Sequence, residues 1–217
     1  MATILMKLSE GRAANQYDRW ISFLTLWQDR AMKDYIVDNL LPRRGRILDI
    51  GCGTGRLLVE AGRRGARGMG IDASPTMLSI ARRESEKRNL GRRLRFETGN
   101  ALDLNLSVEP FDLVVSTLMT SELQPDELRQ FMDRAAKFVK PDGIVAIGDE
   151  GSPMGVVFGR VIAAIRKVSY WIVSRLTELR PHSYHGIPAA MKSAGLCPKY
   201  KVRFMSGLLT LYVAEVI

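Results

Sequence analysis

The sequence predicts an α/β fold in which helices cover both faces of a mostly parallel sheet. Between residues 46 and 148, short apolar runs alternate with amphipathic stretches, a pattern typical of strands joined by crossover helices. The C-terminal part differs, because residues 200–205 and 208–216 predict two strands that flank Ser206 and Gly207 as in a hairpin. We therefore expect a three-layer sandwich around a seven-stranded sheet that ends in an antiparallel hairpin.

Local signals predict each element in chain order. Apolar side chains recur at helical spacing over residues 17–41, and Pro42 ends that helix. Ser74 is suited to cap the helix after the second strand, and Pro75 to begin its first turn. The predicted strands are residues 46–50, 68–72, 94–97, 111–116, 143–148, 200–205 and 208–216, and the predicted helices are residues 17–41, 56–64, 75–88, 125–139, 154–179 (one helix or a pair) and 187–194.

The chain length predicts one domain. The 217 residues are enough for one substantial core, so we expect a single domain over residues 1–217. Residues 1–44 would form an N-terminal helical cap and residues 152–186 an inserted helical lid. We expect neither a signal peptide nor a membrane span, because charged side chains interrupt the apolar stretch over residues 154–179.

The net charge indicates the kind of partner, and the cysteine content bears on disulfides and metal sites. The 32 Lys and Arg exceed the 23 Asp and Glu, and the net charge of +9 favours an anionic partner: nucleic acid, an acidic membrane surface or an anionic small molecule. Cys52 and Cys197 are too far apart in sequence for a disulfide framework or a metal-ligand cluster. We therefore predict no metal site, and a cytoplasmic location.

A glycine-rich turn follows the first predicted strand. It contains Gly51, Gly53 and Gly55, with Asp49 just before it, and a helix begins after it. Glycines let the backbone come close to a ligand, and the free N–H groups of a helix N-terminus favour an anionic group. The spacing is not that of a dinucleotide fingerprint, because Arg56 stands where the third glycine is required, and no P-loop Gly-Lys-Ser/Thr follows.

Two more polar signals lie at the ends of the next predicted strands. Asp72 ends the second strand, where a carboxylate can accept hydrogen bonds from both hydroxyls of a ribose. Asn100 follows the third strand, and its amide can pair with an adenine edge. The carboxyl ends of parallel strands meet at one edge, so the turn, Asp72 and Asn100 predict one crevice for an adenosine cofactor.

Five segments together resemble the successive motifs of class I S-adenosylmethionine-dependent methyltransferases, namely residues 49–55, 70–74, 99–103, 111–115 and 139–143. The resemblance implies a Rossmann-like fold and S-adenosyl-L-methionine as cofactor. The glycines would hold its methionine part, Asp49 its amino end, Asp72 the ribose and Asn100 the adenine, although the family more often has Asp at that position. The implied cofactor-binding residues are Asp49, Gly51, Gly53, Gly55, Asp72, Ala73, Asn100, Ala101 and Ser116.

A looser resemblance points to the acceptor. Segments at residues 17–18, 99–101, 140–143 and 194–196, together with Gly207, resemble methyltransferases of the ubiquinone/menaquinone-biosynthesis type. This implies a small-molecule or lipid-like acceptor, such as a quinone precursor or a phospholipid head group. If residues 154–179 are helical, their basic side chains share one face, which fits either a lid over the acceptor or a peripheral contact with an anionic membrane.

Methyl transfer to an oxygen or carbon atom also requires a base. The candidates are His182 and His185, the only histidines of the chain, and Asp149 at the end of the fifth strand, which could instead cap the next helix. An RNA or protein methyltransferase is an alternative that the net charge favours. It is the weaker one, because residues 116–119 lack the Asn/Asp-Pro-Pro-aromatic motif of adenine amino-methyltransferases. A non-catalytic cofactor-binding protein is a further alternative.

Overall fold

A computed structural model describes residues 28–151, 186–204 and 207–216. Within these ranges, seven strands and five α-helices follow one another, with a 3-10 turn at Thr120–Glu122 after the fourth strand. The helices are α1 (Gln28–Asn39), α2 (Arg56–Arg63), α3 (Pro75–Glu86), α4 (Pro125–Lys137) and α5 (Ile187–Ser193). The strands are β1 (Arg46–Ile50), β2 (Arg67–Asp72), β3 (Leu94–Thr98), β4 (Phe111–Thr117), β5 (Val139–Glu150), β6 (Leu196–Phe204) and β7 (Leu209–Val216).

The seven strands form one sheet in the order β3-β2-β1-β4-β5-β7-β6. Strands β1 to β5 are parallel, and β7 pairs antiparallel with both β5 and β6. The predicted Rossmann-like sheet with a closing antiparallel hairpin is therefore confirmed. Most of the predicted cap (residues 1–27) and nearly all of the predicted lid (residues 152–185) lie outside the described residues, so the predicted division of the chain stays a prediction.

Two predicted boundaries were wrong, at the starts of β5 and β6. The predicted fifth strand began at residue 143, but β5 begins at Val139, and its pairing with β4 is irregular between Phe111 and Leu113. The predicted strand at residue 200 begins at Leu196, with an irregularity between Pro198 and Tyr200. Pro141 and Gly143 lie at one of these places and Pro198 at the other, yet a strand with a bulge can continue past such residues.

Helices cover both faces of the sheet, because strand side chains alternate between two apolar clusters. Ile47 of β1 packs in one cluster with residues of α1, α2 and α3, whereas Leu48 packs in the other with residues of α4 and α5. The same alternation places Leu113 and Val114 of β4 in opposite clusters. The core therefore lies in two layers on either side of β1 and β4, which become the central strands.

Helix α3 begins as predicted. The Ser74 Oγ accepts a hydrogen bond from the Met77 backbone N–H at 3.3 Å, and Pro75 occupies the first turn. This cap fixes where α3 starts relative to the end of β2. Among the described residues, none of the helices has the length and apolar character needed to cross a membrane.

Gly70 is required by close packing between β2 and its neighbours. A Cβ at this position would lie 2.7 Å from both the Cys52 Sγ and a Leu58 methyl carbon, and 2.9 Å from the Phe96 ring. We expect Gly70→Ala to lower the free energy of unfolding by about 1–3 kcal/mol through overpacking. Gly91→Ala is the matched control, because no atom of residues 28–151, 186–204 or 207–216 lies within 4 Å of its Cβ position. Urea denaturation of both variants measures the difference, and equal midpoints would contradict the packing argument.

Candidate functional site

The candidate site lies where the strand order reverses. From β1 the chain continues to β2 and β3 on one side, and it then returns to β4 on the other side of β1. The carboxyl ends of β1 and β4 therefore border a crevice, the usual ligand position in open α/β sheets. The glycine-rich turn follows β1, and the 3-10 turn at Thr120–Glu122 follows β4.

The glycine-rich turn needs glycine because its backbone is left-handed. Gly51, Gly53 and Gly55 have φ angles of 77°, 54° and 71°. A Cβ on Gly55 would lie 2.8 Å from Ala81 and from Phe96, so this glycine allows α2 to start close to α3 and β3. Gly53 differs, because no atom of the described residues lies within 4 Å of its Cβ position. Within the described part of the chain, the turn is therefore uncovered at Gly53, where a ligand could lie against the backbone.

Asp72 joins this turn to the start of α3. Its carboxylate accepts a hydrogen bond from the Gly53 N–H at 2.7 Å and another from the Ser74 N–H at 2.8 Å. A carboxylate has about four acceptor positions, so these two bonds are compatible with further donors such as ribose hydroxyls. Asp72 therefore has a structural role in the turn in addition to its predicted role at the ribose, which stays a prediction.

Asp49 is a carboxylate buried in the middle of the sheet. It is 2% exposed, and its Oδ1 has no hydrogen-bond partner in the described part of the chain. Burial raises the pKa of Asp49 to about 7; the nearby Lys33 charge partly offsets this, and the negative charge of Asp72 adds to it. Sequence reasoning missed Lys33, because its proximity depends on how α1 packs against the rest of the fold.

Ser116 is a second buried polar group without a partner. It is fully buried at the end of β4, and no described residue forms a hydrogen bond with its Oγ. That Oγ lies 3.9 Å from where a Cβ of Gly51 would be, so it is next to the glycine-rich turn. Because buried polar atoms nearly always have partners, Asp49 and Ser116 together fit a polar ligand in this crevice, such as an amino-acid moiety.

Asn100 forms a turn after β3. Its Oδ1 accepts a hydrogen bond from the Leu102 N–H at 3.0 Å, and its backbone carbonyl accepts one from Asp103 at 3.1 Å. This is an Asx-type turn, which Asn and Asp both favour. The side-chain oxygen therefore helps to shape the loop, while the predicted contacts of Asn100 and Ala101 with adenine stay predictions, as does that of Ala73 beside Asp72.

Asp149 is buried on the β4–β5 side of the crevice. It is 2% exposed and accepts hydrogen bonds from the Thr120 hydroxyl at 2.5 Å and from the backbone N–H groups of Ser121 and Glu150 at 2.7 Å. Burial raises the pKa of Asp149 despite these bonds. The carboxylate thus fixes the 3-10 turn after β4. Its catalytic role stays a prediction, and the other candidate bases, His182 and His185, lie outside the described residues, as do residues 154–179.

Leu118 is a residue that sequence reasoning missed. Its φ of 60° is left-handed, which is uncommon outside glycine, and its N–H donates to the Gly148 carbonyl at 2.7 Å. The strained residue turns the chain from β4 toward Thr120, beside the crevice. No sequence signal marks it, because leucine does not favour this conformation.

Comparison with known proteins identifies the domain. Residues 47–143 match the methyltransferase-domain family. The chain carries a methyltransferase domain. The family match, and the many methyltransferases among its relatives, confirm the predicted relation to the S-adenosylmethionine-dependent methyltransferases.

Individual relatives match part of their own length. The erythromycin 3''-O-methyltransferase of Saccharopolyspora erythraea is 37% identical over 106 residues, which are 48% of this chain and 34% of the relative. A ubiquinone biosynthesis O-methyltransferase of Chelativorans sp. is 29% identical over 76% of this chain and 64% of the relative. The chain thus spans between a third and two thirds of these curated relatives.

A solved structure supports the fold of the methyltransferase domain. The TehB-like SAM-dependent methyltransferase of Corynebacterium glutamicum superposes with a TM-score of 0.69 at 18% identity. The match covers 96% of this chain and all of the other. At 18% identity, the similarity shows that the two proteins share a fold and no more than that.

The raised pKa of Asp49 predicts a pH-dependent stability. Its pKa rises from 3.8 to about 7 on folding. Between these two pH values the native state therefore binds a proton that the unfolded state does not, and the free energy of unfolding falls as the pH rises. Between about pH 5 and pH 8 the fall attributable to this group is about 3 kcal/mol, and Asp49→Asn should remove it. Urea denaturation at both pH values measures this difference.

The exposed Asp142 supplies the control for that experiment, since Asp142→Asn removes one negative charge from the surface of β5 and leaves the buried carboxyl of Asp49 in place. Parallel pH profiles for the wild type and Asp49→Asn would show that the carboxyl of Asp49 titrates alike in the folded and unfolded chain.

Proposed function

We propose that this protein transfers a methyl group from S-adenosyl-L-methionine to a small-molecule or lipid-like acceptor, of the quinone-precursor or phospholipid head-group type. The observation that carries the proposal is a pair of buried atoms, Asp49 Oδ1 and Ser116 Oγ, that accept no hydrogen bond from any described residue and lie beside the backbone at Gly53, which the described residues leave uncovered. A cofactor with an ammonium, a carboxylate and a ribose supplies partners for such groups. The relatives named for O-methylation of erythromycin and in ubiquinone biosynthesis support this class of acceptor.

Each side of the crevice would hold a different part of the cofactor. Asp49 would accept from the ammonium group, and the backbone of Gly51 and Gly53 would lie along the methionine part. Asp72, already held by Gly53 and Ser74, would accept from the ribose hydroxyls. The bound cofactor supplies an electrophilic methyl group for an in-line displacement. The chain's contribution is to hold the donor and the acceptor in line and to exclude water.

The acceptor would enter from the side of the 3-10 turn. Asp149 would act there by holding Thr120 and Ser121 in place, and it would also be a candidate to accept the acceptor's proton. His182 and His185 are the other candidate bases, and residues 152–186 the candidate lid. A cytoplasmic location with peripheral membrane contact through residues 154–179 belongs to the same proposal, because a lipid-like acceptor would be reached at a membrane surface.

Two other functions compete with this one. The net charge of +9 favours an RNA or protein acceptor, which would make methyl transfer strongly salt-dependent. A non-catalytic cofactor-binding protein would bind the cofactor without transferring its methyl group to any acceptor. A panel of quinols, phospholipid vesicles and RNA, assayed with radiolabelled S-adenosyl-L-methionine, distinguishes all three.

Calorimetric titration with S-adenosylhomocysteine tests the cofactor site directly. We expect the wild type to bind and Asp72→Asn to bind at least about tenfold more weakly, because it loses charge-assisted hydrogen bonds to the ribose. Ser74→Ala is the control: it removes the α3 cap, at about 1 kcal/mol of stability, but no group proposed to touch the cofactor. A well-folded wild type that fails to bind would refute the proposal, and equal weakening in both variants would assign the effect to stability.

The pH dependence of methyl transfer separates a base from a positioning residue. On whichever acceptor the panel identifies, loss of the catalytic base should lower kcat by about 10²–10⁴ and abolish the acid limb of the pH–rate profile. We expect this for one of His182→Ala and His185→Ala. Asp149→Asn retains an acceptor for Thr120 and should raise KM with an unchanged pH profile. A lost acid limb in Asp149→Asn alone would instead make Asp149 the base.

A further inference from the structure

The amino edge of the sheet, opposite the crevice, carries two adjoining grooves lined mainly by arginine. Their volumes are about 850 Å³ and about 260 Å³, and both are lined by Arg46, Arg67 and Arg93. Arg44 extends the first groove, and Arg92 and Arg95 extend the second. We call these two grooves together the arginine groove.

The strand order places these cations in a row. Arg46 begins β1 and Arg67 begins β2, while Arg93 immediately precedes β3 and Lys140 lies at the start of β5. The five strands run in the order β3-β2-β1-β4-β5, so at about 4.8 Å per strand the row is roughly 19 Å long. A partner for this surface would therefore be an elongated anion.

Most of these charges are not neutralised within the fold. Arg46 pairs with Glu109 and Lys140 with Asp112, but the exposed side chains of Arg44, Arg67, Arg92 and Arg95 have no carboxylate partner in the ranges that the structure describes. Among the described residues, the Arg93 guanidinium donates only to the Gly65 carbonyl, at 2.9 Å. So many like charges in one groove repel one another unless an anion lies between them.

Two structural explanations account for only part of this cluster. Arg93 satisfies a carbonyl in the turn after α2, and Arg95 places a charge on the edge strand β3, which discourages pairing with another sheet. Neither reason applies to Arg67 on the interior strand β2, nor to Arg44 before β1, which adopts a left-handed φ of 58°. These two arginines therefore point to a ligand.

The chemistry of the groove selects among anionic partners. Guanidinium groups bind phosphate oxygens through two parallel hydrogen bonds, so phosphate is the preferred anion. The row is longer than a triphosphate and lies in a concave surface, which suits a linear polyanion better than a flat membrane. The second groove adds apolar lining from Met69, Phe111 and Val108, the last of which is 39% exposed.

We infer that the arginine groove binds the phosphodiester backbone of a single-stranded nucleic acid, without sequence preference. The strands separate this groove from the cofactor crevice by their full length, so a nucleic acid held here is a docking partner and not the methyl acceptor. The inference is therefore independent of the proposed small-molecule activity, and its test does not require methyl transfer.

Fluorescence anisotropy with a fluorescein-labelled oligouridylate of roughly 15 nucleotides tests the inference. Contact with four or five phosphates predicts a slope of about −3 for log K against log salt, which is a roughly 50-fold loss between about 50 and 200 mM. The double variant Arg67→Glu/Arg95→Glu should bind at least about tenfold more weakly, with a shallower slope. Its control, Lys192→Glu/Lys201→Glu, changes two exposed lysines at the β6 end by the same charge and should bind almost as the wild type.

Four outcomes would overturn the inference. Absence of binding by the wild type would do so, as would equal weakening in both double variants, which would mean that only the net charge matters. Tripolyphosphate that displaces the oligonucleotide mole for mole would indicate a small-anion site. The protein could also fail to bind the oligonucleotide but bind vesicles containing phosphatidylglycerol through Arg67 and Arg95. That result would indicate a membrane-binding surface. Arg67→Ala/Arg95→Ala, checked by urea denaturation, confirms that the loss does not come from misfolding.

Discussion

Burial of the Asp49 carboxylate is the constraint around which the crevice is organised. A buried charged group, with one oxygen that accepts no hydrogen bond from the described residues, is unfavourable, and its pKa of about 7 reflects that cost. Lys33 on α1 offsets part of it. Under the proposed function, the ammonium group of the cofactor would stabilise the ionised form and offset the remaining cost.

Two other carboxylates hold the walls of the same crevice. Asp72 holds the glycine-rich turn against the start of α3, and Asp149 holds the 3-10 turn against β5. Each accepts hydrogen bonds from two backbone N–H groups of the segments that it holds. Acidic groups thus determine the shape of the site as well as its charge. Under the proposed function, walls held in this way would keep donor and acceptor aligned and so reduce the entropy that the in-line reaction must lose.

The sequence was sufficient where structure depends on neighbours along the chain. The carboxyl ends of the strands, the position of the glycine-rich turn and the Ser74 cap follow from local patterns and were predicted close to their observed positions, whereas the starts of β5 and β6 were not. Contacts between distant segments were not predictable. The proximity of Lys33 to Asp49 depends on helix packing, and the bond between Asp149 and Thr120 depends on the pairing of β4 with β5. Leu118 shows a third limit, because a strained backbone follows from the surrounding fold and not from the residue itself.

The same limit applies to charge, since a net value of +9 does not reveal where the charges lie. Parallel strands connected by helices place helix N-termini at one edge of the sheet and helix C-termini at the other. The macrodipoles therefore favour acids such as Asp72 at the crevice and cations at the opposite edge. The dipoles account for which edge of the sheet carries acids and which carries cations. They do not account for the number of cations, because a helix terminus is equivalent to about half a charge and acts within one turn. Arg67 and Arg44 add more positive charge than the dipoles require. The inferred binding of an anionic partner explains these two arginines, whereas the fold alone does not.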